Sequence, residues 1–342
     1  MEVGLWRSFA LMPRFTTTLS LPETLSERRS ILIVHREGVG DDILSIPFLT
    51  IVARELKDHD LYLLVGPARR ELFLGLDGYR VVEPWERDKY AEVLGLHHDV
   101  VFDLETRHNH LTDWLFSPDS LRYSSYVGFA KSKSIDREIA IPRAPDIPMW
   151  QQFISLASAI GLPTDPTPNC VIETSHFSKK CIEMLVNLEN ELPLISIAPG
   201  TAGDRRKRWP PEHFASLIRK IHAVRPSHFV IVGERFEMDV GDAIAGLVEM
   251  EIDNLMGLTT VGSFVHIIKQ SRLVVANDNG AMHLGGLMNI PTVGLFGPSD
   301  PVQFQPLGKK SVVLTAPSGI IADIDPSSVA AECLGLLDLE YA

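Results

Sequence analysis

Short apolar runs alternate with longer amphipathic stretches along both halves of the chain. Each run ends at glycine or at charged residues, as buried parallel strands do. In the first half this pattern predicts strands at 30–35, 61–66 and 100–105, and a helix from Asp41 to about Leu56. The alternation indicates an α/β fold in which helices cover both faces of a parallel sheet.

The second half repeats this rhythm. Predicted strands lie at 194–200, 228–233, 272–278 and 291–297, and predicted helices lie at 211–224, 261–270 and 280–288. We expect two such halves to form a cleft, with ligands at the carboxyl ends of the strands.

A proline-rich zone separates the two halves, and proline density of this kind is typical of connections. The prolines are Pro142, Pro145, Pro148, Pro163, Pro166 and Pro168. We place the domain boundary within 165–190. The predicted organisation is an extension at 1–28, a first domain at 29–175 and a second at 176–342, as a chain of 342 residues allows.

Composition and charge exclude several classes of protein. The formal net charge is -12 and no long Lys/Arg block occurs, so no nucleic-acid partner is expected. Cys170, Cys181 and Cys333 have neither CxxC nor zinc-ligand spacing, which is typical of idle thiols in a reducing compartment. No apolar stretch of about 18 residues predicts a membrane span. The segment 1–28 is either a poorly specified extension or an amphipathic segment that touches a membrane surface.

The first predicted strand leads into a loop from Arg36 to Asp42 that opens a helix. A dinucleotide-binding fingerprint reads GxGxxG, but Ile43 occupies its third glycine position and is too large for close helix–strand packing. Asp41 is either the cap of the helix or a carboxylate that faces the cleft. Taken by itself, the loop favours the cap.

Two further loops follow strands in the second half. The segment 199–210 combines small residues with four consecutive cations, which suits phosphate oxygens but also describes a solvated basic loop. The segment 277–283 precedes a helix whose N-terminal N–H groups are suited to anions, and it equally describes an ordinary Asp/Asn turn. A fourth loop lies at 296–301.

Together these motifs resemble glycosyltransferase family 9, the ADP-heptose:lipopolysaccharide heptosyltransferases, over residues 30 to 308. The matching positions run in the family's order, and the run from 277 to 301 is the most specific. They are Arg36, Gly40, Asp41 and Pro47, then Pro199, Gly200, Lys207, Trp209 and Pro210, then Asp278, Asn279, Gly280, His283 and Pro291 through Pro301. Asn279 departs from the family pattern, which usually has Ser or Thr there, so an amide replaces a hydroxyl donor.

The resemblance implies a GT-B fold, in which two Rossmann-like domains face each other across a cleft. The first domain would bind the acceptor and the second the nucleotide sugar, in an inverting transfer that needs no metal or other cofactor. Implied partners are a nucleotide-sugar donor, with ADP-heptose expected, and an anionic glycan or glycolipid acceptor of lipopolysaccharide core synthesis. The implied location is cytoplasmic, with peripheral contact at the inner membrane.

The resemblance also assigns roles to residues. Asp41 is the candidate base, helped by like-charge repulsion from Asp42, and Lys207 is the candidate cation for the departing diphosphate. An acidic residue after the strand at 228–233 is expected to hold the ribose, with Glu234, Glu237 and Asp239 as candidates and Glu237 preferred. The expected donor-binding residues are Gly200, Thr201, Glu237, Asp278, Asn279, Gly280 and His283. The expected acceptor-binding residues are Arg36, Gly40 and Arg107.

The first domain also carries cations that either meet an anionic acceptor or are ordinary surface charge: Arg69, Arg70, Arg107, Arg122, Lys131 and Lys133. Alternative functions are a related transferase that uses another nucleotide sugar on a specialised metabolite or a protein, and a nucleotide-sugar-binding protein without turnover. An NAD-dependent dehydrogenase is disfavoured by Ile43.

Overall fold

The structure is a computed structural model that describes residues 28–106, 121–129, 138–141, 143–164, 192–201 and 203–339. The described residues fall into two compact units, 28–164 and 192–339. The domain boundary that the sequence predicts, at 165–190, lies outside the described residues. Apart from Arg28, the predicted extension at 1–28 lies outside the described residues.

The first unit is built on one parallel sheet. Its strands are β1 Ser30–His35, β2 Asp60–Val65, β3 Tyr79–Val82, β4 His97–Asp103, β5 Arg122–Phe129 and β6 Glu138–Ile141. Its described helices are α1 Val39–Glu55, α2 Arg87–Gly95 and α3 Met149–Ser158, with a 3-10 turn at Arg70–Phe73. The strands lie in the order β3-β2-β1-β4-β5-β6.

The second unit has a sheet of the same kind. Its strands are β7 Leu194–Ala198, β8 His228–Ile231, β9 Asp253–Asn254, β10 Leu273–Asn277, β11 Thr292–Phe296 and β12 Ser311–Thr315. Its described helices are α4 Pro211–Val224, α5 Met238–Leu247, α6 Val261–Gln270, α7 Gly280–Leu287, α8 Pro301–Phe304 and α9 Pro326–Leu339. Short 3-10 turns lie at Arg205–Lys207, Arg235–Glu237 and Ile321–Asp323.

Both sheets have the strand order of a dinucleotide-binding Rossmann fold. In the second unit the order is β12-β11-β10-β7-β8-β9, which is the first unit's order read from the other edge. The order reverses between β1 and β4 in one sheet and between β7 and β10 in the other. Ligands of such folds bind outside the carboxyl ends of the strands at this reversal. The fold therefore gives each unit one preferred place for a site.

Burial explains why the central strands form. All residues of β7, β10 and β11 are buried, as expected of a parallel sheet with helices on both faces. The apolar face of α4 packs with α9 over this sheet, and Leu217, Ile221 and Val329 are completely buried there. Burying one such side chain contributes about 1.5–3 kcal/mol.

The structure differs from the sequence-based expectations at several elements. Helix α3 lies inside the proline-rich zone that was expected to be a connection, because Pro148 sits at its N-cap, where the fixed φ of proline is tolerated. Helix α1 begins at Val39, so Asp41 lies in its first turn and the expectation that Asp41 caps the helix is wrong. The strands at 194–200 and 228–233 were expected to extend into the glycine loops, but they end at Ala198 and Ile231. None of the helices in the described ranges is both long and apolar enough to cross a bilayer.

Candidate functional site

The site of the second unit lies where β7 and β10 diverge. Their parallel pairing runs from Leu273 opposite Ile195 to Ala276 opposite Ala198 and then stops. Beyond the last pair, the chain of β7 continues into Gly200 and Thr201, and β10 continues into the turn before α7. The predicted donor-binding loops therefore lie together at the strand-order reversal.

A buried tryptophan anchors the basic segment to this end of the sheet. The side chain of Trp209 is completely buried, and its ring packs edge-on against Phe214 with centroids 4.9 Å apart. Its indole N–H donates a hydrogen bond to the Ile324 carbonyl at 3.0 Å. Since Trp209 follows Lys207 by two residues, the core holds the backbone from which the lysine projects.

Lys207 reaches the turn after β10 and pairs with Asp278. The distance from Lys207 Nζ to Asp278 Oδ2 is 2.7 Å, and the two side chains are 27% and 6% exposed. The ammonium group also lies 5.9 Å from the centroid of the Phe304 ring. A nearly buried carboxylate thus fixes one half-buried positive charge beside the N-terminus of α7.

His283 lies behind this ion pair as a neutral imidazole. Its Nε2 is 3.9 Å from Asp278 Oδ1, and its side chain is 3% exposed. Burial lowers the pKa of His283 to about 4, although the nearby Asp278 carboxylate opposes that shift. Among the described residues, Nδ1 of His283 is buried and has no hydrogen-bond partner. This nitrogen is available to a bound group.

A second charged cluster lies on the other side of the loop after β7. Glu237 is 1% exposed, and its carboxylate accepts hydrogen bonds from the Thr201 backbone N–H at 2.9 Å and from Arg208 Nη2 at 2.7 Å. A Cβ atom at Gly200 would lie 2.5 Å from Glu237 Oε2 and would displace the carboxylate from this position. Glu234 and Asp239, the other ribose candidates, are exposed.

The sequence did not single out Arg208 individually among the four consecutive cations. Arg206 pairs with Asp204 at the surface, at 2.8 Å, and its side chain is 80% exposed. Lys207 and Arg208 instead turn inward to Asp278 and Glu237. The sequence offered one indication, the neighbouring Trp209, whose large apolar side chain favours burial. The buried ring then fixes the backbone from which Lys207 and Arg208 project.

Asn279 is the N-cap of α7, and its amide is engaged by the chain itself. Its Oδ1 accepts hydrogen bonds from the N–H groups of Ala281 and Met282, at 2.9 and 3.4 Å. Gly280 is the first residue of the helix. The N–H groups of Ala281 and Met282, which were expected to face the donor, are therefore already bonded within the chain.

The site residues of the first unit lie at its own strand-order reversal. Arg36 follows β1, and its Nε lies 3.6 Å from Glu105 Oε1 in the loop after β4. The Glu37 carboxylate accepts a hydrogen bond from the Thr106 backbone N–H at 2.7 Å, which ties the same two loops together. Gly40 and the half-buried Asp41 lie in the first turn of α1, where the helix dipole favours a carboxylate.

The residue after Asp41 belongs to a buried charged cluster. Asp42 is completely buried, with Oδ1 3.4 Å from His35 Nε2 and Oδ2 3.2 Å from Arg69 Nε. Burial raises the pKa of Asp42 well above its usual value, and burial lowers the pKa of His35 to about 4. The neighbouring Asp41 carboxylate also raises the pKa of Asp42, so the two groups interact. The expected effect of Asp42 on Asp41 stays a prediction.

The cations that were expected to meet an anionic acceptor are bonded within the first unit wherever they are described. Arg69 contacts Asp42, Arg70 pairs with Glu86, and Arg122 donates to the Gly95 carbonyl at 2.8 Å. These contacts favour a structural role for all three. Arg107, Lys131 and Lys133 lie outside the described residues.

The structure thus brings the predicted residues together within each unit. The second unit groups the whole predicted donor set with the candidate cation Lys207: Gly200, Thr201, Lys207, Glu237, Asp278, Asn279, Gly280 and His283. The first unit groups Arg36, Gly40 and Asp41. In the described part of the chain, no three histidine, cysteine or carboxylate side chains converge as a metal site. Cys333 is buried in the core of the second unit.

Solved structures with a similar architecture include heptosyltransferases. The structure of Escherichia coli ADP-heptose LPS heptosyltransferase II superposes with a TM-score of 0.73 and 23% identity, over 92% of this chain and 100% of that one. A glycosyltransferase family 9 protein from Veillonella parvula gives a TM-score of 0.76 at 19% identity, over 91% and 97%. These likenesses show that the chain has the GT-B fold.

Sequence comparison identifies the family. The profile described as glycosyltransferase family 9 (heptosyltransferase) matches residues 121–327, more than half of the chain, so the chain belongs to glycosyltransferase family 9. Lipooligosaccharide heptosyltransferase 2 of Haemophilus influenzae is 28% identical over 193 residues, which are 55% of this chain and 50% of that protein. The matched segment spans about half the length of this curated relative.

Proposed function

We propose that the chain is an inverting glycosyltransferase that moves a heptose-type sugar from ADP-heptose to a hydroxyl group of a lipopolysaccharide core acceptor. The family supports the reaction class. The similar E. coli protein is an ADP-heptose LPS heptosyltransferase, and the H. influenzae relative is a lipooligosaccharide heptosyltransferase. The observation that carries the proposal is the Lys207–Asp278 pair beside the N-terminus of α7 at the strand-order reversal.

In this proposal the second unit binds the nucleotide sugar. Lys207 contacts the diphosphate and neutralises the charge that grows on it as the sugar–phosphate bond breaks. The geometry supports this role, because Asp278 already fixes the ammonium group and the lysine need not be ordered during the reaction. His283, neutral and with Nδ1 available, contacts an oxygen of the phosphates or the sugar.

Glu237 is the proposed ribose ligand. It is the one acid of the three candidates that is buried against Thr201, and Arg208 pairs with its carboxylate. Carboxylate oxygens accept hydrogen bonds from hydroxyl groups. In this proposal Thr201 lies between Glu237, which binds the ribose, and Lys207, which binds the diphosphate.

The first unit carries the proposed base and the acceptor. Asp41 accepts the proton of the attacking hydroxyl, a step that typically contributes about 10²–10⁴-fold in rate. Arg36, Gly40 and Arg107 are the proposed acceptor contacts. No metal or other cofactor takes part, since Lys207 supplies the charge that a divalent cation would otherwise provide. Because the acceptor would be a membrane glycolipid, a cytoplasmic location with peripheral contact to the inner membrane belongs to the same proposal.

Mass spectrometry of products tests the function directly. The chain is incubated with ADP-heptose and a panel of lipopolysaccharide core acceptors, with and without EDTA. The expected result is an acceptor heavier by one heptose, with inverted anomeric configuration and equal yield in EDTA. The matched variants Asp41→Asn and Lys207→Met are expected to make little product while retaining their fold. Transfer from another nucleotide sugar alone would overturn the donor assignment, and full activity of Asp41→Asn would overturn the base.

A further inference from the structure

Two asparagines flank Asp278 at the end of β10, and both turn their amides toward β7. Asn277 is completely buried, and its Nδ2 donates a hydrogen bond to the Pro199 carbonyl at 2.7 Å. Asn279 uses both hydrogens of its Nδ2, which donate to the Ala198 carbonyl at 2.9 Å and the Gly200 carbonyl at 2.8 Å. Three consecutive carbonyls after β7 are thus bonded by side chains from one turn.

These bonds begin where the backbone ladder between the two strands ends. The last paired residues are Ala276 and Ala198, and beyond them the strands diverge at the strand-order reversal. Backbone groups left unpaired in such a buried place cost free energy comparable to a lost hydrogen bond. The two amides continue the ladder by side chain, so the loop after β7 keeps a defined path toward the site.

The same asparagines reach the other two segments of the site. Asn277 Oδ1 accepts a hydrogen bond from the Trp209 backbone N–H at 3.3 Å, two residues after Lys207. Asn279 Oδ1 caps α7. The tripeptide Asn277-Asp278-Asn279 therefore contacts the loop after β7, the Lys207–Trp209 segment and the helix N-terminus at once.

We infer that Asn277 and Asn279 form a side-chain clamp that holds the loop after β7 and the Lys207–Trp209 segment in the geometry that binds the donor diphosphate. Both are positioning residues, because their amides form hydrogen bonds within the chain. They affect the donor only through the positions of Thr201 and Lys207. The inference rests on the proposed function for the identity of the donor. It reassigns Asn279, which had been expected to contact the donor itself.

An asparagine at position 279 can make more hydrogen bonds to the loop after β7 than the Ser or Thr that the family usually has there. A Ser or Thr hydroxyl has one hydrogen to donate and can still accept the helix cap bonds. It can bond only one of the two carbonyls that Asn279 bonds. The amide therefore connects the turn to the loop more firmly than a hydroxyl can.

Amide hydrogen exchange and ADP titration of the full chain test the clamp. In Asn279→Ala we expect faster exchange in the segment 200–209 and an ADP Kd about tenfold weaker, which equals about 1.4 kcal/mol, the net worth of one or two such bonds. Asn279→Ser, which retains the cap, should weaken ADP binding by about threefold. Asn254→Ser removes an exposed hydrogen bond from the Asn254 amide on β9 to Asp242 on α5 and should change neither quantity.

The outcomes separate the clamp from the proposed function. Unchanged exchange of 200–209 in a folded Asn279→Ala variant would refute the clamp, and so would faster exchange with an unchanged ADP Kd. A lower melting temperature with an unchanged Kd would mean that Asn279 serves folding alone and would also refute it. If the wild-type chain binds no ADP while exchange rises as expected, the donor assignment fails and the clamp stands on the exchange data.

Discussion

The pairing of Lys207 with Asp278 makes a prediction for both stability and turnover. Replacing Lys207 with Met leaves a carboxylate that is 6% exposed without its cation. Breaking a fully buried pair in this way costs about 3–5 kcal/mol, and an exposed pair contributes about 0–1 kcal/mol. Because the lysine side chain is 27% exposed, we expect a coupling energy between these limits, about 2 kcal/mol.

A double-mutant cycle with Lys207→Met, Asp278→Asn and the double variant measures this coupling in urea unfolding. The two single variants should also differ in their effect on kcat. Lys207→Met removes the charge that meets the leaving group and should lower kcat by about 100-fold, whereas Asp278→Asn keeps the cation and should lower it less. A coupling energy below about 0.5 kcal/mol, or a larger kcat loss in Asp278→Asn than in Lys207→Met, would contradict the argument.

Three further predictions follow from close contacts and buried titratable groups. Gly200→Ala places a Cβ atom 2.5 Å from Glu237 Oε2 and should weaken ADP binding by about tenfold or more in calorimetry, whereas Gly246→Ala, with no neighbour within 4 Å, should not. Burial raises the pKa of Asp42 above 3.8, so as pH rises the unfolded chain loses this proton before the folded chain does. The free energy of unfolding therefore decreases as pH rises above 3.8. The melting temperature of Asp42→Asn should therefore exceed that of the wild type by more at pH 8 than at pH 5, and a constant difference would contradict the burial argument. The pKa of His283 is lowered to about 4, so its contribution is present above 6.5 and is lost as pH falls toward 4. In His283→Gln, urea midpoints should fall less steeply over that interval, and an unchanged slope would count against a buried neutral imidazole.

The sequence predicts the central elements well because their patterns are strong and local. Strand β1 and helices α4 and α6 have the predicted bounds, since their apolar periods are complete and their ends carry proline, threonine or charged residues. Short edge strands such as β3, β9 and β12 were not predicted. Their residues are only partly buried, so their apolar pattern is weak and the pairing with a neighbouring strand decides their conformation.

The candidate site was likewise only partly predictable from the sequence. The loops after β7 and β10 were identifiable because both follow buried strands, and parallel strands bring their carboxyl ends to one edge. The direction of each side chain was not predictable. Arg208 and Arg206 are neighbours in a run of cations, yet one is held inward by Glu237 and the other pairs with Asp204 at the surface. Likewise, buried Asp42 beside the half-buried Asp41 contacts Arg69, which is distant in sequence, and His35, which lies on the other side of the loop after β1.

The most direct measurement is a crystal structure of the chain with ADP bound. We expect the diphosphate to lie against Lys207 Nζ, with the ribose hydroxyl groups toward Glu237. ADP bound elsewhere, or a diphosphate that does not approach Lys207 while the nucleotide is well ordered, would contradict the account.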